Sequence, residues 1–205
     1  MQLSELQTEV RNAAGFDVSD PQATNAVLNP IINRAIRVMN GMRDWDWRIA
    51  SETIATVVGQ AGYPRDARAV RTVRVQDVDS GNGLIMTTAE AATRYSKYNG
   101  RPTFWYVEGG TLVMYPKPDS VRDIKHVYLQ NEEELVISTD TPLIPDDAID
   151  AAVLLAATFL LARSDDTSQL RLVEAQYNKA IRMVEQNARR AKGAPVIKTR
   201  RDWSV

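Results

Sequence analysis

Few residues in this chain are of types and spacings that could do chemistry. His126 is the only histidine among 205 residues, set in the apolar strand pattern IKHVYL with no Ser or Cys nucleophile nearby. A nucleophilic triad needs a base held between a nucleophile and an acid, and a histidine metal centre needs several imidazoles. His126 therefore reads as a structural strand residue. Glu132-Glu133-Glu134 could supply paired carboxylates for acid–base work. However, consecutive acids at a strand end point in alternating directions, which favours a solvated loop. Gly81-Asn82-Gly83 is hairpin chemistry, and no glycine loop has the spacing that cradles phosphate. Cysteine is absent, which excludes disulfides, thiolate nucleophiles and cysteine metal sites. The chain reads as a non-enzyme, with no catalytic residue, cofactor or metal.

Binding is the stronger theme. Arg65, Arg68, Arg71 and Arg74 recur every third residue, whereas a strand repeats every second. The four cannot line one face; Arg68 and Arg74 share a side, and a solvated strand edge guarded by charge is the plain reading. The C-terminal KTRRDW joins basic charge to an indole where no core exists to bury it, and Trp and Arg are the residues most enriched at binding hot spots. Formal net charge is only −1, which gives no global pull toward nucleic acid or acidic membrane. Locally the sign is uneven. Glu132, Glu133, Glu134, Asp140, Asp146, Asp147 and Asp150 fall in a stretch without Lys or Arg, whereas Arg189, Arg190, Lys192, Lys198, Arg200 and Arg201 follow Ala188. Such blocks can be read by partners or by neighbouring copies.

The elements are organised around Asp147 to Arg163, DAIDAAVLLAATFLLAR, in which Ala151 to Ala162 is apolar except for Thr158. A helix apolar all round must be wrapped by other elements or sit in lipid, and this run is short of the roughly 20 residues of a bilayer crossing. It is a central core helix, with Asp146 or Asp147 as cap. Before it, Ser4 to Asn12 suits a short amphipathic helix ending near Gly15. A second helix is expected from about Pro21 to Arg43, broken or kinked at Pro30, with Ile31 or Ile32, Ala35, Ile36, Met39 and Met42 as buried stripe. After it, Asp166 or Thr167 caps a long helix to about Lys192, stopped by Gly193-Ala194-Pro195.

Between these helices the pattern turns to strands. Trp47 to Val58 and Arg68 to Val78 are rich in Val, Ile and Thr and flank a dense turn signal; Thr88 to Tyr98 suits a short helix capped by Thr87 or Thr88. Thr103 to Glu108, Thr111 to Tyr115 and Ile124 to Gln130 follow, the first two joined by a Gly109-Gly110 hairpin. Phe104, Trp105, Tyr106 and Val107 are apolar on both faces, which suggests a sandwich or a sheet meeting another subunit. The expected class is α+β: a helical domain from 1–45 and 139–192, a β-rich sandwich-like insertion at 46–138, and an extended arm at 193–205. Hydrophobic content of 44% suits a globular chain, and the N-terminus carries no basic-then-apolar leader, so assembly in the cytoplasm is expected.

Four stretches, in this order, resemble the bacteriophage head-to-tail adaptors, the connector or head-completion proteins that include the tail-tubular-A-like group. They are INRAIRVMNGMRDWDW (Ile32 to Trp47), VVGQAGYPRDARAVRTVRV (Val57 to Val75), NGRPTFWYVEGGTLVMYPKPD (Asn99 to Asp119) and DTPLIPDDAIDAAVLLAATFLLA (Asp140 to Ala162). The resemblance implies a structural virion protein of the neck: a homo-oligomeric ring, commonly dodecameric, beneath the portal protein. Such a ring extends the channel through which DNA passes and offers its far side to a stopper, nozzle or tail tube. It also implies that Val196 to Val205 is a portal-docking arm, with Val196, Ile197, Lys198, Arg200, Arg201 and Trp203 in contact. Phe104, Trp105 and Tyr106 would lie on an intersubunit or tail-facing surface, and Arg189 and Arg190 at assembly contacts. No cofactor or membrane is implied. The alternative is a soluble nucleic-acid-binding module using the basic arm and the arginines around Arg71.

Overall fold

The computed structural model describes residues 1–164 and 166–191. In chain order the elements begin α1 (Leu3–Ala14), α2 (Asn25–Met42), β1 (Ile49–Ala55), β2 (Gly62–Pro64), β3 (Ala69–Asp77) and β4 (Ile85–Met86). There follow α3 (Ala89–Thr93), β5 (Asn99–Gly100), β6 (Phe104–Glu108), β7 (Thr111–Tyr115), β8 (Lys117–Pro118) and β9 (Asp123–Gln130). Last come α4 (Asp146–Leu161) and α5 (Thr167–Ala191). The class is α+β. The chain divides into a helical unit, residues 1–47 with the chain from 132 onward, and a β unit, 48–131.

In the helical unit α4 is buried over most of its surface, through Ala148, Ile149, Ala151, Ala152, Val153, Leu155, Ala156, Ala157, Leu160 and Leu161, with Leu154, Thr158 and Phe159 half-buried. Its wrapping comes from Leu3, Leu6 and Val10 of α1, from Leu28, Ile32, Ala35, Ile36 and Met39 of α2, and from Val173 and Val184 of α5. The alanines let neighbouring backbones come close. Asp146 and Asp147 lie in the first turn, where the helix dipole favours negative charge, but Pro145 is the capping residue and no side chain caps the end. Asp166 does cap α5, accepting from the Gln169 N–H at 3.0 Å.

The second predicted helix is divided elsewhere than expected. Asp20 accepts from the Gln22 N–H at 2.8 Å over one 3₁₀ turn, Pro21–Ala23, and the extended Thr24 then begins α2. Pro30 sits inside α2, on its exposed side, where water can reach the carbonyl left without a donor. Met42 is 47% exposed and does not belong to the buried stripe. Buried Arg11 ties α1 to this corner, donating from Nε to the Ala23 carbonyl at 2.8 Å and from its guanidinium to Asn25 Oδ1.

In the β unit, β9 is the centre of a three-stranded sheet ordered β1-β9-β3, while the four-stranded sheet runs β2-β7-β6-β4. Tyr63, Val75, Leu84, Trp105, Leu112, Met114 and Ile124 from the two sheets form one core, a small sandwich. The Gly109-Gly110 loop has φ of 54° and 81°, the positive values a two-residue primed turn demands. The helix at Thr88 stops at Thr93, short of Tyr98, and the Thr93 hydroxyl donates back to the Glu90 carbonyl at 2.6 Å. Beside the core, the Asp77 carboxylate (side chain 2% exposed) takes Arg101 Nε at 2.9 Å and the Ser80 N–H at 3.1 Å. Burial alone would raise its pKa; the Ser80 and Arg101 donors outweigh burial and hold it below the ordinary carboxylate range.

Two stability predictions follow from this packing. Ala157→Leu, at a position fully enclosed by other helices, should overpack the helical core and cost about 1–3 kcal/mol in urea unfolding. Arg101→Met should cost about 2 kcal/mol at neutral pH by leaving a buried carboxylate without its cation. Because the folded pKa of Asp77 is depressed, this contribution is present above the ordinary carboxylate value and lost as pH falls. The gap between wild type and Arg101→Met should therefore narrow on acidification, as measured by urea titrations from pH 7 to pH 3 or about that range.

Candidate functional site

His126 has acquired partners that its sequence neighbourhood does not supply. Strand β9 places it opposite Glu52 of β1 and Val75 of β3. Its Nδ1 lies 2.8 Å from Glu52 Oε1 and its Nε2 2.9 Å from Thr72 Oγ1. A Thr–His–Glu chain has the partner types of a hydrolytic relay, but this imidazole is wholly buried. Tyr128, two residues on, donates its hydroxyl to Asp66 Oδ2 at 2.9 Å, and Asp66 also holds Arg68 at 3.1 Å. Burial and the Asp66 carboxylate push the Tyr128 phenol up to about 12. Both imidazole nitrogens are thus committed to cross-strand bonds, which is what a buried histidine needs.

Two of the three glutamates are tied into the fold as well. Glu132 accepts from Asn40 Nδ2 at 2.7 Å and from the Leu143 N–H at 2.6 Å, while Glu134 pairs with exposed Arg37 at 3.1 Å. No cluster of three or more His, Asp or Glu able to hold a metal ion occurs among the described residues, and among them no helix is long and apolar enough to cross a membrane.

The arginine series is rearranged by the strand itself. Two register shifts in β3, between Ala69 and Arg71 and between Thr72 and Arg74, leave Val70 and Val73 as extra residues. Arg71 then faces Leu129 and Arg74 faces Val127, so these two share a face with Lys125, in place of the expected pairing of Arg68 with Arg74. Arg68 precedes the strand, in the turn held by Asp66.

The aromatic hairpin is split between inside and outside. Trp105 is 4% exposed, donates Nε1 to the Leu84 carbonyl at 3.1 Å and belongs to the core, so it takes no part in a free surface of the chain. Phe104 and Tyr106 point the other way, half-buried. Phe104 stacks on Tyr95 at 4.8 Å and Tyr106 on Tyr115 at 6.5 Å, with exposed Ile85 paired beside Phe104. Desolvation first, then Tyr115 and Glu108, raises the Tyr106 phenol. This aromatic face, with Tyr95, Tyr115 and Ile85 as members the sequence reading missed, is a candidate surface of the β unit. The hairpin itself carried the signal for Tyr115: a two-glycine loop closing Glu108 on Thr111 puts Phe104 opposite Tyr115.

In the helical unit, Arg189 and Arg190 are exposed in the last turn of α5, where cations suit the helix dipole. Val196, Ile197, Lys198, Arg200, Arg201 and Trp203 of the expected arm lie outside the described residues. The tryptophans of the helix-to-strand junction are explained by capping. Trp45, buried, donates Nε1 to the Met39 carbonyl at 2.7 Å, one of the carbonyls that the end of α2 leaves without a helical donor. Trp47 stacks on it at 4.4 Å and donates to Asn40 Oδ1 at 3.0 Å.

No curated protein matches the chain. A family model described as SU10 adaptor protein matches residues 1–199, nearly the whole sequence, and the chain belongs to that family of phage head-to-tail adaptors.

Proposed function

We propose that this protein is a structural, non-enzymatic component of the phage neck, a ring of twelve copies seated beneath the portal that extends the DNA channel and carries the next neck or tail protein. The observation that carries the reading is the family match over residues 1–199. The surfaces support it. The exposed aromatic face around Phe104 and Tyr106 is of the kind that marks protein–protein contact. The acid-rich stretch from Glu132 to Asp150 and the basic end of α5 add charge of both signs, which contacts between unlike patches of neighbouring copies can use. The arm from Val196 onward, with Arg200, Arg201 and Trp203, is the proposed portal anchor. DNA passes through the lumen, and assembly takes place in the host cytoplasm before the neck becomes part of the virion.

A second reading has one observation in its favour, the face shared by Arg71, Arg74 and Lys125. A nucleic-acid module using that face would bind duplex DNA as an isolated protein, with affinity falling steeply between low and physiological salt.

Co-purification with the phage portal, full length and truncated after Lys192, followed by electron microscopy, tests the first reading. A ring on the portal that is lost on truncation is the expected outcome; no complex with either form sinks the portal assignment. Charge reversal at Arg189 and Arg190 should lower the yield of portal-bound ring severalfold in the same assay, and unchanged assembly would remove the two arginines from the contact.

A further inference from the structure

Helix α2 carries different features on the two sides of its buried stripe. On one side Val27, Pro30, Ile31 and Arg34, at i, i+3, i+4 and i+7, face the end of α4. There an open groove of about 440 Å³ is lined by Pro30, Ile31, Arg34, Phe159, Ala162 and Arg163. A smaller hollow of about 210 Å³, lined in part by Val27 and Leu160, continues it past Arg163. The floor is apolar and both charged residues are cationic, with the Arg34 guanidinium lying 4.6 Å over the Phe159 ring.

On the other side Asn33, Arg37 and Asn40 hold the segment that follows β9. Asn33 pairs its amide with both backbone groups of Leu135, at 3.0 and 2.9 Å, Arg37 pairs with Glu134 and Asn40 with Glu132. Beyond Leu135 the chain makes a tight protrusion. Asp140 Oδ2 accepts from the Val136 and Ile137 N–H groups at 2.7 and 2.9 Å. The α1 N-terminus donates to it from Leu3 to the Asp140 carbonyl and from Ser4 to the Ser138 carbonyl. So firmly held a loop would be expected to tuck its apolar side chains in. Instead Val136 and Ile137 are 71% and 60% exposed.

We infer that the Val136–Ile137 protrusion of one copy seats in the α2–α4 groove of the next. The match is one of shape and of charge: two branched aliphatic side chains flanked by Glu133 and Glu134, against an apolar floor flanked by Arg34 and Arg163. The protrusion and the groove lie on different sides of α2, so a chain cannot fill its own groove in this conformation. A contact between two unlike patches is heterologous, and repetition of it closes a ring or runs on as a filament. The inference rests on the ring proposed above and supplies one of its subunit contacts. The surface Arg37–Glu134 pair is no obstacle, because exposed ion pairs of this kind contribute little and exchange partners readily.

The absence of native cysteine makes a direct test possible. Ile137→Cys combined with Ala162→Cys introduces the only thiols, both at exposed positions, on either side of the inferred contact. Full-length protein carrying both substitutions, alone and seated on its portal, is oxidised with copper and air and run without reductant. A ladder of covalent multimers, absent from either single variant, is the expected result. Rings seen by electron microscopy without a ladder would overturn this contact and leave the ring reading standing. A failure to form multimers in any condition, portal included, would remove the ring reading and this inference together. Crosslinked dimers from Ile137→Cys alone would mean that like patches meet, and would also overturn it.

Discussion

The constraint on which the helical unit depends is that α4 has no polar face. A surface helix needs one apolar stripe and one packing neighbour; a helix buried on all sides needs several, and they must come from elsewhere in the chain. The sequence before α4 supplies α1 and α2, and the sequence after it supplies α5. The ends of the described chain are therefore drawn to the same core, and residues 48–131 between α2 and α4 form a unit of their own. Each fully buried Leu or Ile contributes about 1.5–3 kcal/mol. The buried set on α4 is large enough that its environment, more than any local propensity, fixes which residues of α1, α2 and α5 face inward. Ala148, Ala151, Ala152, Ala156 and Ala157 sharpen the demand, because small residues accept only partners that come close.

Departure from that core and return to it are governed by polar side chains bonded to backbone. Trp45 closes the end of α2 through the Met39 carbonyl, and Trp47 engages Asn40, whose amide nitrogen reaches Glu132 on the returning chain. Asn33 then pairs with Leu135 as a strand would. These bonds join residues about ninety or a hundred positions apart in sequence, so the excursion is clamped at its neck within the helical unit. Unpaired buried backbone groups are costly, and a junction that satisfies them with side chains is ordered for the same reason that a capped helix is. Order here has a consequence for exposure: apolar residues displayed by a clamped loop stay displayed.

Legibility in the sequence tracked the range of the interaction. Elements set by local periodicity or local turn chemistry, such as α1, α4, α5 and the Gly109-Gly110 hairpin, were readable because their determinants lie within a few residues. Asp20-Pro21 and Asn29-Pro30 look alike as local signals, yet the first opens only a single 3₁₀ turn and the second sits inside α2; Ile31 and Ile32 must stay in register with the core, which no short window shows. Nothing local announces that β9 lies between β1 and β3, since strand order is a matter of long-range closure. The faces of Arg71 and Arg74 depend on two bulges in β3, and a bulge inverts every inside–outside assignment that strict alternation makes beyond it. Trp105 was assigned outward with Phe104 and Tyr106 because the run is apolar on both faces, and only the hairpin register against Met114 shows which neighbour turns in. The partners of His126, Glu52 and Thr72, lie 74 and 54 positions away and no local pattern names them.

A protein whose task is to join other proteins need not concentrate its function in a cavity. The wrapped helix and the small sandwich bury most of the large apolar side chains, while Ile85, Val136 and Ile137 among others stay exposed. What remains outside is sorted by face: aromatics on the outer side of the β6–β7 hairpin, acids along the segment that leads into α4, bases at the end of α5. Each face is carried by an element whose position is fixed by buried contacts, so the spacing between faces is as rigid within a unit as the core that sets it. A contact surface on a held scaffold loses less conformational entropy on binding than one on a free loop, which favours repeated, equivalent contacts between copies. Stiff presentation of separate patches, and not the chemistry of any one residue, is the property that suits this chain to an adaptor.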